Sequence, residues 1–187
     1  MPKLPKIPYK LHDNINKQRS ICISLSDKLR MISKITINFL VKNNLEPAEK
    51  NLETTKKIFN NIQNRLKKNP YLYGFAIIQT GIEEYVEAVL LYSYLKNKTM
   101  PSATSLKITP EVYLGGLSDM TGELVRLARL KEKDVNKIHQ YIAKIYELII
   151  PISITRNSSM RTKLEAIGNN LKKIENIIYE LKLRDKI

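Results

Sequence analysis

Apolar residues recur at helical spacing along most of the chain, and no stretch alternates apolar and polar positions convincingly as a half-buried strand would. Asp13 predicts an N-cap for a helix running to about Asn44, with Ile21, Leu25, Leu29, Ile32, Ile35 and Phe39 on one face. Pro47 sits near the start of a second helix, roughly Ala48 to Lys68, and Pro70 ends it. Tyr71 to about Lys96 is apolar almost all round, the mark of a buried helix. Asn97 to Ile108, with Pro101 and small polar residues, reads as a loop. Thr109-Pro110-Glu111 combines a capping hydroxyl, a proline at the first position and an acid in the first turn, and so opens a helix to about Leu130. Another helix spans about Glu132 to Ile149 and stops at Pro151. The last begins near Asn157 or Ser158 and runs to about Arg184, with Leu164, Ile167, Leu171, Ile174, Ile178 and Leu181 at helical spacing. β-branched runs such as KITINFL lie inside longer helical periods. The pattern predicts an all-α protein: six or seven helices in one domain over residues 13–187, behind a basic, proline-containing tail at 1–12.

Charge sharpens this picture. The 187 residues carry 32 Lys and Arg against 18 Asp and Glu, a net charge of +14. A surplus this large points to a polyanionic partner. It is uneven: residues 1–68 carry 15 basic and 5 acidic side chains, residues 69–130 carry 5 and 6, and residues 131–187 carry 12 and 7. Only the middle third is not basic, and its acids are clustered. One cysteine, Cys22, excludes an intramolecular disulfide and a multi-cysteine zinc site, and reads as a small core residue. The two histidines, His12 and His139, exclude a histidine-rich metal site. The longest apolar stretch, Tyr85 to Leu95, is interrupted by Glu87 and is too short to span a bilayer. No leader is evident, so a soluble, cytoplasmic protein is expected.

Two segments carry the candidate chemistry: GIEEYVEA, Gly81 to Ala88, and GGLSDMTGELVR, Gly115 to Arg126. On a helix, Glu84 and Glu87 share one face, as do Asp119 and Glu123. The first face is otherwise small or apolar, with Ile77, Thr80, Gly81, Ala88 and Leu91, and the second carries Val112, Gly115, Gly116, Gly122, Arg126 and Leu130. Like charges repel strongly where the dielectric is low, and burying unpaired carboxylates is costly. Protons, arginines or a metal ion must offset that cost. Four carboxylates from two helices form the all-oxygen donor set that hard divalent cations prefer, which predicts Mg²⁺ or Mn²⁺. The same pattern also suits a wet helix face, and the glycines suit close helix packing alone.

These residues resemble a family, that of translin and Trax. GIEEYVEA followed by ITPEVYLGGLSDMTGELVRLA is similar to its two central helices, ISLSDKLRMISKITI to its first and MRTKLEAIGNNLKKIENIIYELKLR to its last. The resemblance spans roughly residues 13–184 and implies an antiparallel bundle of the translin type. The translin branch binds single-stranded nucleic acid; the Trax branch is the metal-dependent endoribonuclease subunit. Carried over, the Trax acids fall on Glu84, Glu87 and Asp119, with Glu123 one turn further. Asp119 marks the Trax side, because the intact DMTGE keeps an aspartate that translin-like chains generally lack. The chain departs from the usual Trax pattern in being short, with a compact loop at Asn97 to Lys107 and little C-terminal tail. The family's closed assemblies are octamers around an internal chamber, so a homo-octamer is implied.

The expected function is therefore Mg²⁺-dependent endoribonuclease action on single-stranded RNA. Glu84, Glu87, Asp119 and Glu123 are the catalytic and metal-binding residues. Phosphate contacts are expected from Arg126, Arg129, Lys107, Lys56, Lys57, Arg65 and Arg19; for Arg126 the alternative is a structural ion pair with Glu123, and for the lysines it is solvated surface. Tyr73 and Tyr113 suit base stacking or, more simply, the core. Two alternatives compete: a non-catalytic binder of single-stranded RNA or DNA, and an all-α nucleoside triphosphate pyrophosphatase using Glu83, Glu84 and Glu87. A ferritin-like di-iron site is disfavoured because no Glu-x-x-His pair exists.

Overall fold

The computed structural model describes residues 9–152 and 159–184. Among them the secondary structure is helical throughout: α1 (Tyr9–Val41), α2 (Leu45–Lys68), α3 (Ala76–Leu95), α4 (Ala103–Leu106), α5 (Pro110–Leu130), α6 (Val135–Ile149) and α7 (Ser159–Leu183). The all-α class and six of the seven helices follow the sequence pattern. The differences lie at the edges of elements. α1 is already helical at Tyr9, so Asp13 lies within it and is not its cap. Residues 1–8 of the expected tail, and the expected start at Asn157 or Ser158, fall outside the described residues. The segment after Pro70 is first a 3-10 turn, Pro70–Gly74, and only then α3. The expected loop at 97–108 contains the one-turn α4, capped by Ser102, whose hydroxyl accepts from the Ser105 amide at 3.1 Å. Thr109 caps α5 as its sequence implies, accepting from the Val112 amide at 3.4 Å.

Side by side, the helices run in the order α2, α1, α3, α5, α7, α6, each packing chiefly on its neighbours. The core is one continuous cluster that includes Leu29, Leu40, Ile62, Leu90, Leu91, Met120, Leu124, Ile142 and Ile167. Burying a large aliphatic side chain of this kind contributes about 1.5–3 kcal/mol, the main force holding the layers together. In α1 the buried stripe differs from the one expected. Ile35 is exposed, and Ser26, Ser33 and Thr36 are buried instead. Small hydroxyl residues let α3 come close, and their polarity is largely met by main chain. The Ser26 hydroxyl donates to the carbonyls of Ile77 and Ile78, and that of Thr36 to Ile32. A side chain at Gly81 would meet the Ser26 carbonyl oxygen at 2.7 Å, so α1 and α3 touch there only because both residues are small.

Candidate functional site

α3 and α5 are pressed together along the two glycine positions of GGLSDM. A Cβ at Gly115 would stand 2.5 Å from the Glu83 carboxyl carbon, and one at Gly116 would stand 2.7 Å from Val86. Gly122 is different: only the Asn170 amide of α7 lies nearby, at 3.6 Å. Gly116 therefore sets the helix spacing, Gly115 makes room for the Glu83 carboxyl, and Gly122 does neither. This approach brings the acids of α3 beside those of α5.

Glu87 is the buried member, only 7% exposed. Burial, and then the negative charges of Glu84, Asp119 and Glu123, push its carboxyl up to about 8, against a weaker pull from Lys34. The four predicted acids thus form one electrostatic cluster. Burial therefore favours the protonated form of Glu87, and among the described residues no hydrogen bond or ion pair engages it. The other three each have a cation. Lys34 of α1 pairs with Glu84 at 3.1 Å, Arg126 with Glu123 at 3.1 Å, and Lys163 of α7 with Asp119 at 3.1 Å. Lys163 also reaches Glu83 at 3.3 Å. Burial pulls the Lys163 ammonium down, but Asp119 and Glu83 more than reverse this and leave it raised. Glu83, half-buried, is raised by burial in spite of Lys163.

The rest of DMTGE ties α5 to α7. Thr121 accepts from the Asn170 amide at 2.9 Å and donates to the Ser118 carbonyl, while the Ser118 hydroxyl donates to the Lys163 carbonyl at 3.1 Å. That last bond anchors the backbone from which Lys163 reaches the acids. Sequence reasoning missed Lys34 and Lys163, and named Glu83 only in the pyrophosphatase alternative. Their one signal was the imbalance itself: acids on apolar helices with no local cation require partners from elsewhere in the chain.

All-oxygen donors, one of them buried without a cation of its own, suit a hard divalent cation such as Mg²⁺ or Mn²⁺. The fit is one of donor type and charge. Among the described residues no three acidic groups are gathered into a ready coordination shell. Lys34, Lys163 and Arg126 hold the outer carboxylates instead.

Of the expected phosphate contacts, only Arg126 stands at the acids. Arg129 is exposed beside Lys173 of α7 and Arg184 just past its end. Lys56 and Lys107 line one groove with Lys67, and Lys57 is exposed on α2. Arg19 lies over the Phe75 ring at 4.3 Å, and Arg65 bonds to Gln18 and Asn61. Tyr73 and Tyr113 are partly buried against the core, and Cys22 is fully buried within it.

The fold and site together define an all-helical protein with an acidic cluster where two helices pack closely, framed by basic side chains. The chain belongs to the translin family, whose sequence pattern matches residues 9–185. It is similar to translin-associated protein X of Pongo abelii, 24% identical over 208 residues, covering 91% of this chain and 71% of that protein. In structure it is similar to apo-NeC3PO, with a TM-score of 0.84 and 25% identity over 96% of this chain and 98% of the other. AfC3PO, solved in complex with duplex RNA, aligns with a TM-score of 0.81 and 20% identity over 94% of this chain and 95% of its own. Among the described residues no helix is long and apolar enough to cross a membrane.

Proposed function

We propose that this chain is a metal-dependent endoribonuclease of the Trax kind that acts on single-stranded RNA as a homo-oligomer. Glu87 carries the reading: a buried carboxyl surrounded by three other acids, without a counter-ion of its own, costs stability that a purely structural role does not explain. Glu84, Glu87 and Asp119 would hold Mg²⁺ or Mn²⁺, with Glu123 beside them. A bound divalent cation supplies Lewis acidity toward a phosphodiester and lowers the pKa of water. The chain's own groups do the rest. To act as a ligand, Glu87 would have to release the proton that its burial favours. Glu123 stands as the candidate base, held by Arg126. Arg126, exposed at the rim, has further N–H groups for a phosphate oxygen. Lys34 and Lys163 reduce the repulsion an anionic strand meets as it approaches four acids. Family membership, similarity to translin-associated protein X and the +14 charge support the reading, and the duplex RNA held by AfC3PO supports its RNA-binding part. Exposed Leu148, Tyr179 and Leu183 support self-association.

The three ion pairs favour a second reading, in which the acids are structural and the protein only holds single-stranded RNA or DNA. One assay separates the two. The purified protein is incubated with labelled single-stranded RNA, DNA of the same sequence, or nucleoside triphosphates, each with Mg²⁺ or EDTA. RNA cutting that requires Mg²⁺ and is abolished by Asp119→Asn, with RNA affinity retained, is expected. Binding without cutting leaves the second reading standing. Pyrophosphate release in place of RNA cutting overturns both.

A further inference from the structure

A second polar site lies away from the acids. Between the N-terminal part of α1 and the C-terminal half of α2 is a cleft of about 420 Å³. The amides of Asn14, Gln18, Asn61 and Asn64 surround Arg65 and Lys68, and no carboxylate or apolar side chain lines it. Arg65 is held from both helices by neutral acceptors. Its Nε donates to Asn61 Oδ1 at 3.0 Å, and its Nη1 to Gln18 Oε1 at 2.8 Å. Neither bond cancels its charge, and both leave guanidinium N–H groups over. Gln18 and Asn61, accepting through oxygen, keep their NH₂ groups as donors. The cleft thus offers positive charge together with amide donors and acceptors, and no apolar residue. That combination matches a sugar–phosphate strand with open base edges, which single-stranded RNA presents and a membrane surface or an apolar helix does not.

Its position separates it from the acidic cluster. Gln18 and Lys34 are sixteen residues apart on α1. At 1.5 Å and about 100° per residue, that is about 24 Å along the helix and about 160° around it. The cleft faces α2, and Lys34 faces Glu84 of α3 on the other side.

We propose that this α1–α2 cleft is a binding site for single-stranded RNA, distinct from the acidic site of the same chain, which retains the strand and takes no part in cutting it. The proposal rests on the RNA-binding half of the reading above and not on its metal chemistry.

The test is fluorescence anisotropy with a labelled 16-nucleotide single-stranded RNA on the intact protein across a range of salt. The double variant R65Q/K68Q is compared with K144Q/K172Q, which removes the same charge from exposed positions on α6 and α7. The cleft variant is expected to bind about tenfold more weakly, with the slope of log affinity against log salt reduced by about 1.4, the value for two lost single-strand phosphate contacts. The control should change less than twofold. N64D, a single exposed substitution that adds a negative charge to the cleft, should weaken binding severalfold and keeps the test open if the double variant fails to fold. Equal losses in the two double variants, or no loss at the cleft, overturn the proposal. So does full displacement of the RNA by millimolar AMP, which would make the cleft a mononucleotide site. A wild-type protein that binds no RNA removes the broader reading as well; one that binds RNA with cleft variants unimpaired removes only this site.

Discussion

At the scale of single residues, Glu87 makes the sharpest demand. Its carboxyl titrates at about 8 in the fold, well above the ordinary range for Glu, so the folded state holds a proton that the unfolded chain has lost. The folded protein then binds more protons between roughly pH 4.5 and pH 8, and stability falls as pH rises through that window. Glu87→Gln removes the charge with little change in shape. It is expected to match the wild type near pH 4 and to exceed it by on the order of 2–4 kcal/mol at pH 8. Thermal melts in EDTA at the two pH values check this, and an equal difference at both would show that burial of the charge is not the cause. Legibility at this scale depended on what a residue needs. Glu84, Glu87 and Asp119 could be picked out because acids on apolar helices violate the burial rule. Lys163 could not: it lies 44 residues beyond Asp119, and its role exists only through the packing of α7. Ile35 was misread for a related reason, since apolar spacing cannot reveal that Ser26, Ser33 and Thr36 occupy the buried stripe of α1.

At the scale of elements, the helices were readable because periodicity, prolines and the Thr109 cap agree, whereas one-turn α4 is too short to leave a periodic signal. The glycines of α5 show what packing adds. They look alike in sequence, yet Gly116 faces Val86 at contact distance and Gly122 faces open space apart from Asn170. Gly116→Ala is expected to destabilise by about 1–3 kcal/mol through overpacking. Gly122→Ala should be neutral or stabilise by up to about 1 kcal/mol through helix propensity. Chemical denaturation of both variants gives the comparison, and equal effects would mean that α3 and α5 are not closely packed at Gly116. The α5–α7 contact makes a separate prediction. Lys163→Met leaves the half-buried Glu83 without its ammonium and should cost about 1–3 kcal/mol. If that ammonium stands where a cation's charge is wanted, the same change should raise Mn²⁺ affinity severalfold by titration calorimetry. A fall in affinity would mean that Lys163 positions the acids for the ion and does not compete with it.

At the scale of the whole molecule, the charge is arranged as a cationic body around an acidic cluster. The surplus lies in residues 1–68 and 131–187, while α3 and α5 bring the acids to the middle of the helix order. A long RNA therefore meets attraction over most of the surface and repulsion at one spot, which Lys34, Lys163 and Arg126 moderate. Strand binding should then be driven largely by release of counterions from the phosphates. If four phosphates are neutralised, the slope for a single strand is about −2.8, and affinity falls about 50-fold between 50 and 200 mM salt. A mononucleotide, which carries no condensed counterions to release, should show a much flatter response under the same conditions. Anisotropy titrations across salt distinguish the cases, and a nearly flat response for a long strand would mean that the +14 charge is not what recruits RNA. Native mass spectrometry over the same salt range tests whether assembly shares that dependence. Copies joined through apolar surface at Leu148 and Leu183 should keep a native mass at a fixed multiple of 21.7 kDa while the RNA dissociates. Loss of both together would mean that RNA, and not apolar contact, holds the copies to one another.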